Sequence, residues 1–176
     1  GGGCEAVQDS SYAEIAGIPI ALLGLLAYLA VLVLVAWDSE LARTLAAAGY
    51  DAVAIDPEAP DGELFRRTTI EAFDEPGPFD AVVASLSLHH VHDLGGVLDK
   101  LARLSPGPLV VNEFAWDRYE PITPEWKDEH EGLHTYDVMR VELDARFEER
   151  FFEWRPYLVD GVDVPGLGFR YVGEPR

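Results

Sequence analysis

The run from Ile15 to Ala36 carries no charged side chain. It is longer than the roughly 20 residues that a helix needs to cross a bilayer. Gly17, Pro19 and Gly24 fall inside it, and membrane helices tolerate such residues better than soluble ones do. The alternative is a buried helix joined to a buried strand, with Val31–Val35 as the strand. The run predicts an N-terminal apolar helix, either membrane-spanning or buried, and with it a membrane association through Ile15–Ala36.

From Ser39 onward the pattern changes to strands alternating with helices. This alternation predicts an α/β domain with a parallel sheet and covering helices, which binds ligands beyond the carboxyl ends of its strands. We therefore divide the chain into an apolar segment, residues 1–37, and an α/β domain, residues 38–176. The predicted strands lie within Asp51–Asp56, Phe65–Phe73, Phe79–Val91, Gly107–Trp116 and Gly166–Pro175, and the predicted helices are Ser39–Gly49, Leu94–Leu104 and, as one or two helices, Asp137–Trp154.

Charge and cysteine content exclude several classes of function. The formal net charge is −19, from 32 acidic and 13 basic residues, and the basic ones are scattered. Such a chain repels phosphate backbones, so nucleic acid is not expected as a partner. The chain has one cysteine, Cys4, which excludes an intrachain disulfide and a cysteine-rich zinc site.

The N-terminal segment Cys4–Leu32 has a cysteine ahead of an apolar run, a Ser/Tyr stretch, and then Gly-Ile-Pro. It resembles the vitamin K epoxide reductase family. The resemblance implies that Cys4 is one cysteine of a thiol–disulfide relay, but such exchange needs a second thiol, and the family's Cys-x-x-Cys pair is absent. Cys4 is thus either a redox residue of a membrane oxidoreductase fragment or a free thiol. The residues that carry the resemblance are Cys4, Val7, Ser10, Ser11, Tyr12, Gly17, Ile18, Pro19, Gly24 and Tyr28.

The segment Ser39–Trp154 resembles the class I S-adenosylmethionine-dependent methyltransferases. The resemblance rests on an acid that ends the second strand, on "SLSLHHVHDL" after the fourth strand, and on "RLSPGPLVVNEF" leading into the fifth. It implies S-adenosylmethionine as cofactor and a small-molecule methyl acceptor. It implies further that Asp56 binds the ribose hydroxyls, that Thr69, Ile70 and Glu71 contact adenine, and that Ser85 faces the cofactor and substrate.

Each of these residues also has an interpretation without a functional role. Asp56 is followed by Pro57 and equally suits a turn cap. The histidines at 89 and 90 either line the pocket or lie in a solvated loop, and no metal site is expected. His130 and His134 have the spacing of two ligands on one helix face, but Gly132 weakens a helix there. We expect these two histidines on a solvated surface.

Methyl transfer requires alignment of the acceptor more than covalent chemistry from the protein. General-base assistance is optional, and by position His89, His90 and Glu113 are the catalytic candidates.

The chain departs from the methyltransferase pattern in one place. The first motif of that family is an acidic residue followed by a Gly-x-Gly-x-Gly loop at the end of the first strand. Val35, Trp37 and Ser39 stand where glycines let the backbone approach the cofactor, and Val33 stands in place of the acid. We therefore expect impaired cofactor binding. The two resemblances meet near Leu32–Ser39, which predicts a chimera or fragment, and a non-catalytic remnant is the further alternative. We expect the α/β domain to lie in the cytoplasm, either associated with a membrane or free.

Overall fold

The computed structural model describes residues 14–15, 18–19, 38–120 and 122–176. Strands β1 (Glu14–Ile15) and β2 (Ile18–Pro19) pair antiparallel, so Ile15, Ile18 and Pro19 do not belong to the predicted apolar helix. The rest of that run, and Cys4, lie outside the described residues. Within the described ranges, no helix combines the length and apolar character that a membrane crossing requires. The chain divides into two compact units, Gly1–Ala72 and Phe73–Arg176.

Beyond β1 and β2, the described part of the first unit consists of a helix and a short parallel strand pair. Helix α1 (Asp38–Ala47) ends before Gly49, whose φ of +93° is a conformation that glycine adopts without strain. Strands β3 (Ala54–Ile55) and β4 (Phe65–Arg66) pair in parallel. Their small core consists of Ala42, Ala59 and Phe65, with Ala54 and Leu64 packed against it. The predicted helix and second strand are present, although the strand is shorter than Asp51–Asp56.

The second unit is built on a four-stranded mixed sheet. Its strands are β5 (Val82–Ser85), β6 (Leu109–Phe114), β7 (Phe147–Val159) and β8 (Val162–Pro175). Their order is β5-β6-β8-β7; β5 and β6 are parallel, whereas β8 is antiparallel to both of its neighbours. The predicted parallel pairing is present between β5 and β6, whereas the hairpin of β7 and β8 adds antiparallel pairing that was not predicted.

The helices of this unit begin at side-chain caps. Asp93 accepts a hydrogen bond from the Gly96 amide at 3.0 Å and starts α2 (Leu94–Leu104), which has the predicted bounds. The apolar face of α2 is buried through Leu94, Val97, Leu98 and Leu101. Helices α3 (Pro124–Glu129) and α4 (Tyr136–Arg146) begin at threonine caps. Two short 3₁₀ turns cover Leu88–His90 and Trp116–Arg118.

The helix predicted over Asp137–Trp154 is wrong in its second half. Helix α4 ends at Arg146, and β7 begins at the next residue. The aromatic side chains after residue 146 favour strand, and they pair across to β8, with Phe152 opposite Tyr171 and Trp154 opposite Phe169. These cross-strand contacts outweigh the helix-like spacing of the apolar residues.

Candidate functional site

The carboxyl ends of β5 and β6 meet at one edge of the sheet. Ser85, the last residue of β5, pairs with Asn112 of β6, and the Asn112 side-chain amide donates to the Ser85 hydroxyl at 3.3 Å. Parallel sheets bind ligands beyond the carboxyl ends of their strands. The residues that follow β5 and those that end β6 are therefore candidates for a ligand site.

The backbone turns sharply after β5 at Leu86. This residue has a φ of +48°, a left-handed conformation that is strained for a leucine. Its amide donates to the Asn112 carbonyl at 2.9 Å, which fixes the turn against β6. As a result, the next two amides, those of Ser87 and Leu88, both point at one carboxylate oxygen, Oε1 of Glu113, at 2.6 Å each. Consecutive amides arranged in this way form an anion-binding nest.

The Glu113 carboxylate also binds His89. Its Oε2 lies 2.6 Å from Nδ1 of the imidazole, and Glu113 and His89 are only 1% and 3% exposed. Two amides hold Oε1, and an ionised carboxylate can only accept, so with Glu113 ionised the hydrogen of the second bond lies on Nδ1 of His89. In the tautomer with that hydrogen on Nδ1, the lone pair of the ring is at Nε2.

The other ring nitrogen of His89, Nε2, is not engaged by Glu113. It makes no hydrogen bond with a described residue. Among those residues, the side-chain polar atom that is fully enclosed and unbonded is the hydroxyl of Tyr171, so Nε2 of His89 is not fully enclosed. An oriented, accessible imidazole nitrogen can take a proton from a bound molecule.

His90 lies beside this pair and is exposed. Its ring centroid is 4.0 Å from that of His89, at an interplanar angle of 40°. Desolvation lowers the pKa of His90, and the neighbouring His89 lowers it further. His90 is thus a neutral base near pH 7, although it lacks the carboxylate partner that orients His89.

Aromatic side chains surround the pair. Phe114 meets the His89 ring edge-on at 5.0 Å and stacks on Tyr157 at 4.5 Å. Burial, and then the charge of Glu113, raise the pKa of Tyr157. His130 stacks on Trp126 with centroids 4.1 Å apart.

His130 and His134 are half-buried, so the expectation of a solvated surface for them is wrong. Gly132, with a φ of +85°, separates them after the end of α3. The backbone amide of His134 donates to the His89 carbonyl at 3.0 Å. The side-chain Nε2 of His134 lies 2.8 Å from the Val91 carbonyl oxygen. These bonds fasten residues 130–135 to the loop that carries His89. No cluster of three metal-ligating side chains occurs in the described parts of the chain.

The residues predicted to bind cofactor fall in both units. Asp56 is exposed, and its Oδ1 accepts from the Glu58 amide at 2.6 Å, which is the turn-cap alternative. Thr69 is also exposed and accepts from the Ala72 amide at 3.3 Å. Ile70 is half-buried and Glu71 exposed. Ser85 lies in the other unit, with His89, His90 and Glu113.

Sequence reasoning missed three contributors to the site. Leu86 gives no sequence signal, since a left-handed leucine is not expected. Tyr157 and Trp126 lie in segments for which no role was predicted, and Trp126 stacks on His130, which was expected on a solvated surface. An aromatic residue four positions before a histidine, as Trp126 is before His130, does signal a contact within a helical turn.

Two comparisons with known proteins bear on these observations, and a third, with curated proteins, gave no match. The model of the vitamin K epoxide reductase family matches residues 1–55. Among solved structures, a Pyrococcus horikoshii OT3 protein matches with a TM-score of 0.56 and 14% identity, over 77% of this chain and 76% of that one.

Other solved structures that match carry a methyltransferase name. A SAM-dependent methyltransferase from Methanosarcina mazei has a TM-score of 0.55 and 19% identity, over 76% of this chain and 85% of that one. The Burkholderia thailandensis 1,6-didemethyltoxoflavin-N1-methyltransferase, solved with 1,6-didemethyltoxoflavin and S-adenosylhomocysteine bound, has a TM-score of 0.56 and 18% identity, over 76% of this chain and 64% of that one. The chain therefore has the Rossmann-like fold of S-adenosylmethionine-dependent methyltransferases, and its first 55 residues are similar to the vitamin K epoxide reductase family.

Proposed function

We propose that this protein is an S-adenosylmethionine-dependent methyltransferase that acts on a small-molecule acceptor. The observation that carries the proposal is the buried pair of His89 and Glu113, held at 2.6 Å at the carboxyl edge of β5 and β6. A methyltransferase-like fold alone does not specify activity, whereas an oriented base at this edge supplies a chemical role.

The described residues fit the ribose end of the proposed cofactor. Asp56 uses one carboxylate oxygen in its turn, and Oδ2 makes no hydrogen bond with a described residue. An exposed carboxylate oxygen of this kind accepts a hydroxyl donor. We assign Thr69, Ile70 and Glu71 to the adenine and Ser85 to the cofactor-facing edge. When bound, the cofactor supplies a methyl group activated on a sulfonium.

In the proposed reaction the protein removes a proton from the acceptor. Nε2 of His89 receives the acceptor's proton as the new bond to the methyl group forms. Glu113 positions the ring and stabilises the imidazolium that results, in the way that an acid–histidine pair does. His90 is the alternative base, since its lowered pKa keeps it neutral at pH 7.

We propose further that the cofactor binds weakly. Val35, Trp37 and Ser39 occupy the positions of the family's glycines, and a Cβ at each hinders close backbone approach. Val35 and Trp37 lie outside the described residues, and Ser39 lies in α1. We also propose that the chain consists of an apolar segment, residues 1–37, and an α/β domain, residues 38–176.

Calorimetry tests cofactor binding directly. We expect saturable heat on titration with S-adenosylmethionine, and a dissociation constant raised about tenfold by Asp56→Ala, since losing a charge-assisted hydrogen bond costs about 1.5 kcal/mol. Asp61→Ala is the matched control, because Asp61 is an exposed acid of the same unit that contacts the Arg67 side chain. Absence of heat at millimolar cofactor would contradict the proposal.

The match to the vitamin K epoxide reductase family over residues 1–55 favours a second candidate function. On that alternative, Cys4 exchanges disulfides with a partner thiol. Trapping of a mixed disulfide at Cys4 in membranes supports it, and a Cys4 that reacts no faster than free cysteine contradicts it. A chain that unfolds cooperatively but fails both tests is a non-catalytic remnant.

A further inference from the structure

The rings of His89 and Tyr157 both contact the Phe114 ring. His89 meets the ring edge-on at 5.0 Å, and Tyr157 stacks on it at 4.5 Å and 10°. Neither Nε2 of His89 nor the Tyr157 hydroxyl makes a hydrogen bond with a described residue, and neither atom is fully enclosed. Both atoms thus have an unused hydrogen-bonding capacity beside one aromatic ring.

The surface next to these atoms is aromatic. Trp116 and Trp126 lie on His130, with ring centroids at 5.5 and 4.1 Å and interplanar angles of 21° and 27°. Tyr119 packs on Trp126 at 4.5 Å, and all four residues are half-buried. Phe114 meets His130 at 5.9 Å, so this group is continuous with the base His89. The two tryptophans and Tyr119 pack against the buried cluster of Phe114, Val159 and Leu167 and keep a partly exposed surface. Exposed aromatic surface stacks with flat rings.

We propose that the methyl acceptor is a planar aromatic or heteroaromatic molecule that carries a hydroxyl or ring N–H. This inference rests on the proposed methyltransferase function. The acceptor's ring stacks on the aromatic group around Phe114, and its O–H or N–H donates to Nε2 of His89. The Tyr157 hydroxyl binds a second polar atom of the acceptor.

The transfer balances with these groups. The acceptor's oxygen or nitrogen forms a bond to the methyl carbon of S-adenosylmethionine, and the carbon–sulfur bond breaks with its electron pair left on sulfur. The acceptor's proton moves to Nε2 of His89 and from there to water. The products are the methylated ring compound and S-adenosylhomocysteine.

An aliphatic ammonium compound is the competing acceptor, because the chain has a net charge of −19 and aromatic faces also attract cations. The polar atoms available here are, however, a neutral imidazole nitrogen and a phenol. The Glu113 carboxylate is 1% exposed and already accepts three hydrogen bonds. The site thus favours a neutral flat ring over a cation.

Binding of matched probes to the unmodified protein tests the inference. The probes are 2-naphthol, its saturated analogue decahydro-2-naphthol, and cyclohexylmethylamine, titrated by calorimetry with and without S-adenosylhomocysteine. We expect 2-naphthol to bind about tenfold more tightly than the saturated alcohol, as a stacking advantage of about 1.4 kcal/mol would give. Equal or tighter binding of the saturated alcohol or of the amine overturns the inference.

A variant pair locates the site. Trp126→Leu should weaken 2-naphthol binding about fivefold or more, since it removes one stacking face. Trp154→Leu is the control, because Trp154 belongs to a different aromatic group, with Tyr136 and Phe169. An equal effect of both variants contradicts the location. The probe comparison on the unmodified protein stays decisive if Trp126→Leu does not fold.

The outcomes separate this inference from the proposed function. If S-adenosylhomocysteine binds and 2-naphthol shows no preference over the saturated alcohol, the aromatic acceptor is wrong and the methyltransferase proposal stands. If 2-naphthol is preferred but the cofactor does not bind, the aromatic site is supported and the methyltransferase proposal fails. Failure of both overturns both.

Discussion

Nδ1 of His89 lies 2.6 Å from Oε2 of Glu113, and the other oxygen of that carboxylate is held by two backbone amides. The amides fix the orientation of the carboxylate, which in its ionised form accepts the hydrogen of Nδ1. The arrangement selects one tautomer of the imidazole, with its free lone pair directed away from Glu113.

The first prediction concerns this tautomer. In Glu113→Gln the side-chain carbonyl can still accept from the two amides, but its NH₂ group then faces His89 and donates to Nδ1. The hydrogen of the imidazole should move to Nε2, which removes the base. Nitrogen-15 NMR of the histidine rings should show protonated Nδ1 in the parent protein and protonated Nε2 in the variant. An unchanged tautomer would mean that Glu113 has only a packing role.

The second prediction concerns the base itself. His89→Gln should lower the methyl-transfer rate about 10²- to 10⁴-fold, which is the usual contribution of a general base. Cofactor affinity should change little. His92→Gln is the control, because His92 is an exposed histidine of the same loop. Labelled methyl transfer to a panel of phenols and heteroaromatic N–H compounds measures the rate, and equal rates in both variants would rule out His89 as the base.

The third prediction concerns Gly107, which precedes β6. A Cβ at this position would lie 1.8 Å from the backbone oxygen of Asp80, so the strand cannot accept a side chain there without a backbone shift. Gly107→Ala should lower the free energy of unfolding by more than about 2 kcal/mol. Gly132→Ala is the matched variant, since nothing lies within 4 Å of its Cβ and only its φ of +85° is unfavourable, at about 1 kcal/mol. Urea denaturation compares the two; a Gly107→Ala protein as stable as the parent contradicts the close approach.

The fourth prediction concerns Tyr171, a fully buried residue whose hydroxyl has no hydrogen-bond partner among the described residues. Burial, and then the charge of Asp144, raise the pKa of Tyr171 to about 12. The unfolded chain ionises this phenol near pH 10, so its contribution to stability is complete below pH 10 and is lost as the pH rises toward 12. The loss amounts to about 2 kcal/mol.

Tyr171→Phe isolates this effect. Because the hydroxyl is buried without a partner, its removal should leave stability at pH 7 unchanged or higher. At pH 11 the variant should gain further over the parent, because phenylalanine does not titrate. Urea denaturation at both values of pH gives the difference. A constant difference between the two proteins would show that Tyr171 ionises equally in the folded and unfolded chains.

Much of the fold follows from local patterns. The bounds of α2 coincide with the prediction, because its apolar positions recur at helical spacing and Asp93 supplies a cap. The hairpin of β7 and β8 was missed, although Asp160 and Gly161 carry a sequence signal for it. Their φ values of +50° and +80° form the two-residue turn that an Asp-Gly pair favours.

The sequence allowed us to name residues of the candidate site but not to predict how they contact one another. His89 and Glu113 were named from their places after two strands, and the structure adds the bond between them. That bond depends on the left-handed turn at Leu86 and on the register of β5 against β6, two features without a local sequence pattern. The catalytic role of the two residues stays a prediction.

The position of β8 in the sheet also bears on how the chain is made. β8 follows β7 in sequence yet lies between β6 and β7 in space. During synthesis on the ribosome, β6 and β7 therefore emerge before residues 162–175. Until β8 pairs with them, the strand edges that face it are unpaired. Open edges of this kind attract foreign strands. The nascent protein should thus depend on chaperones most strongly in the interval between the emergence of β7 and that of residues 162–175.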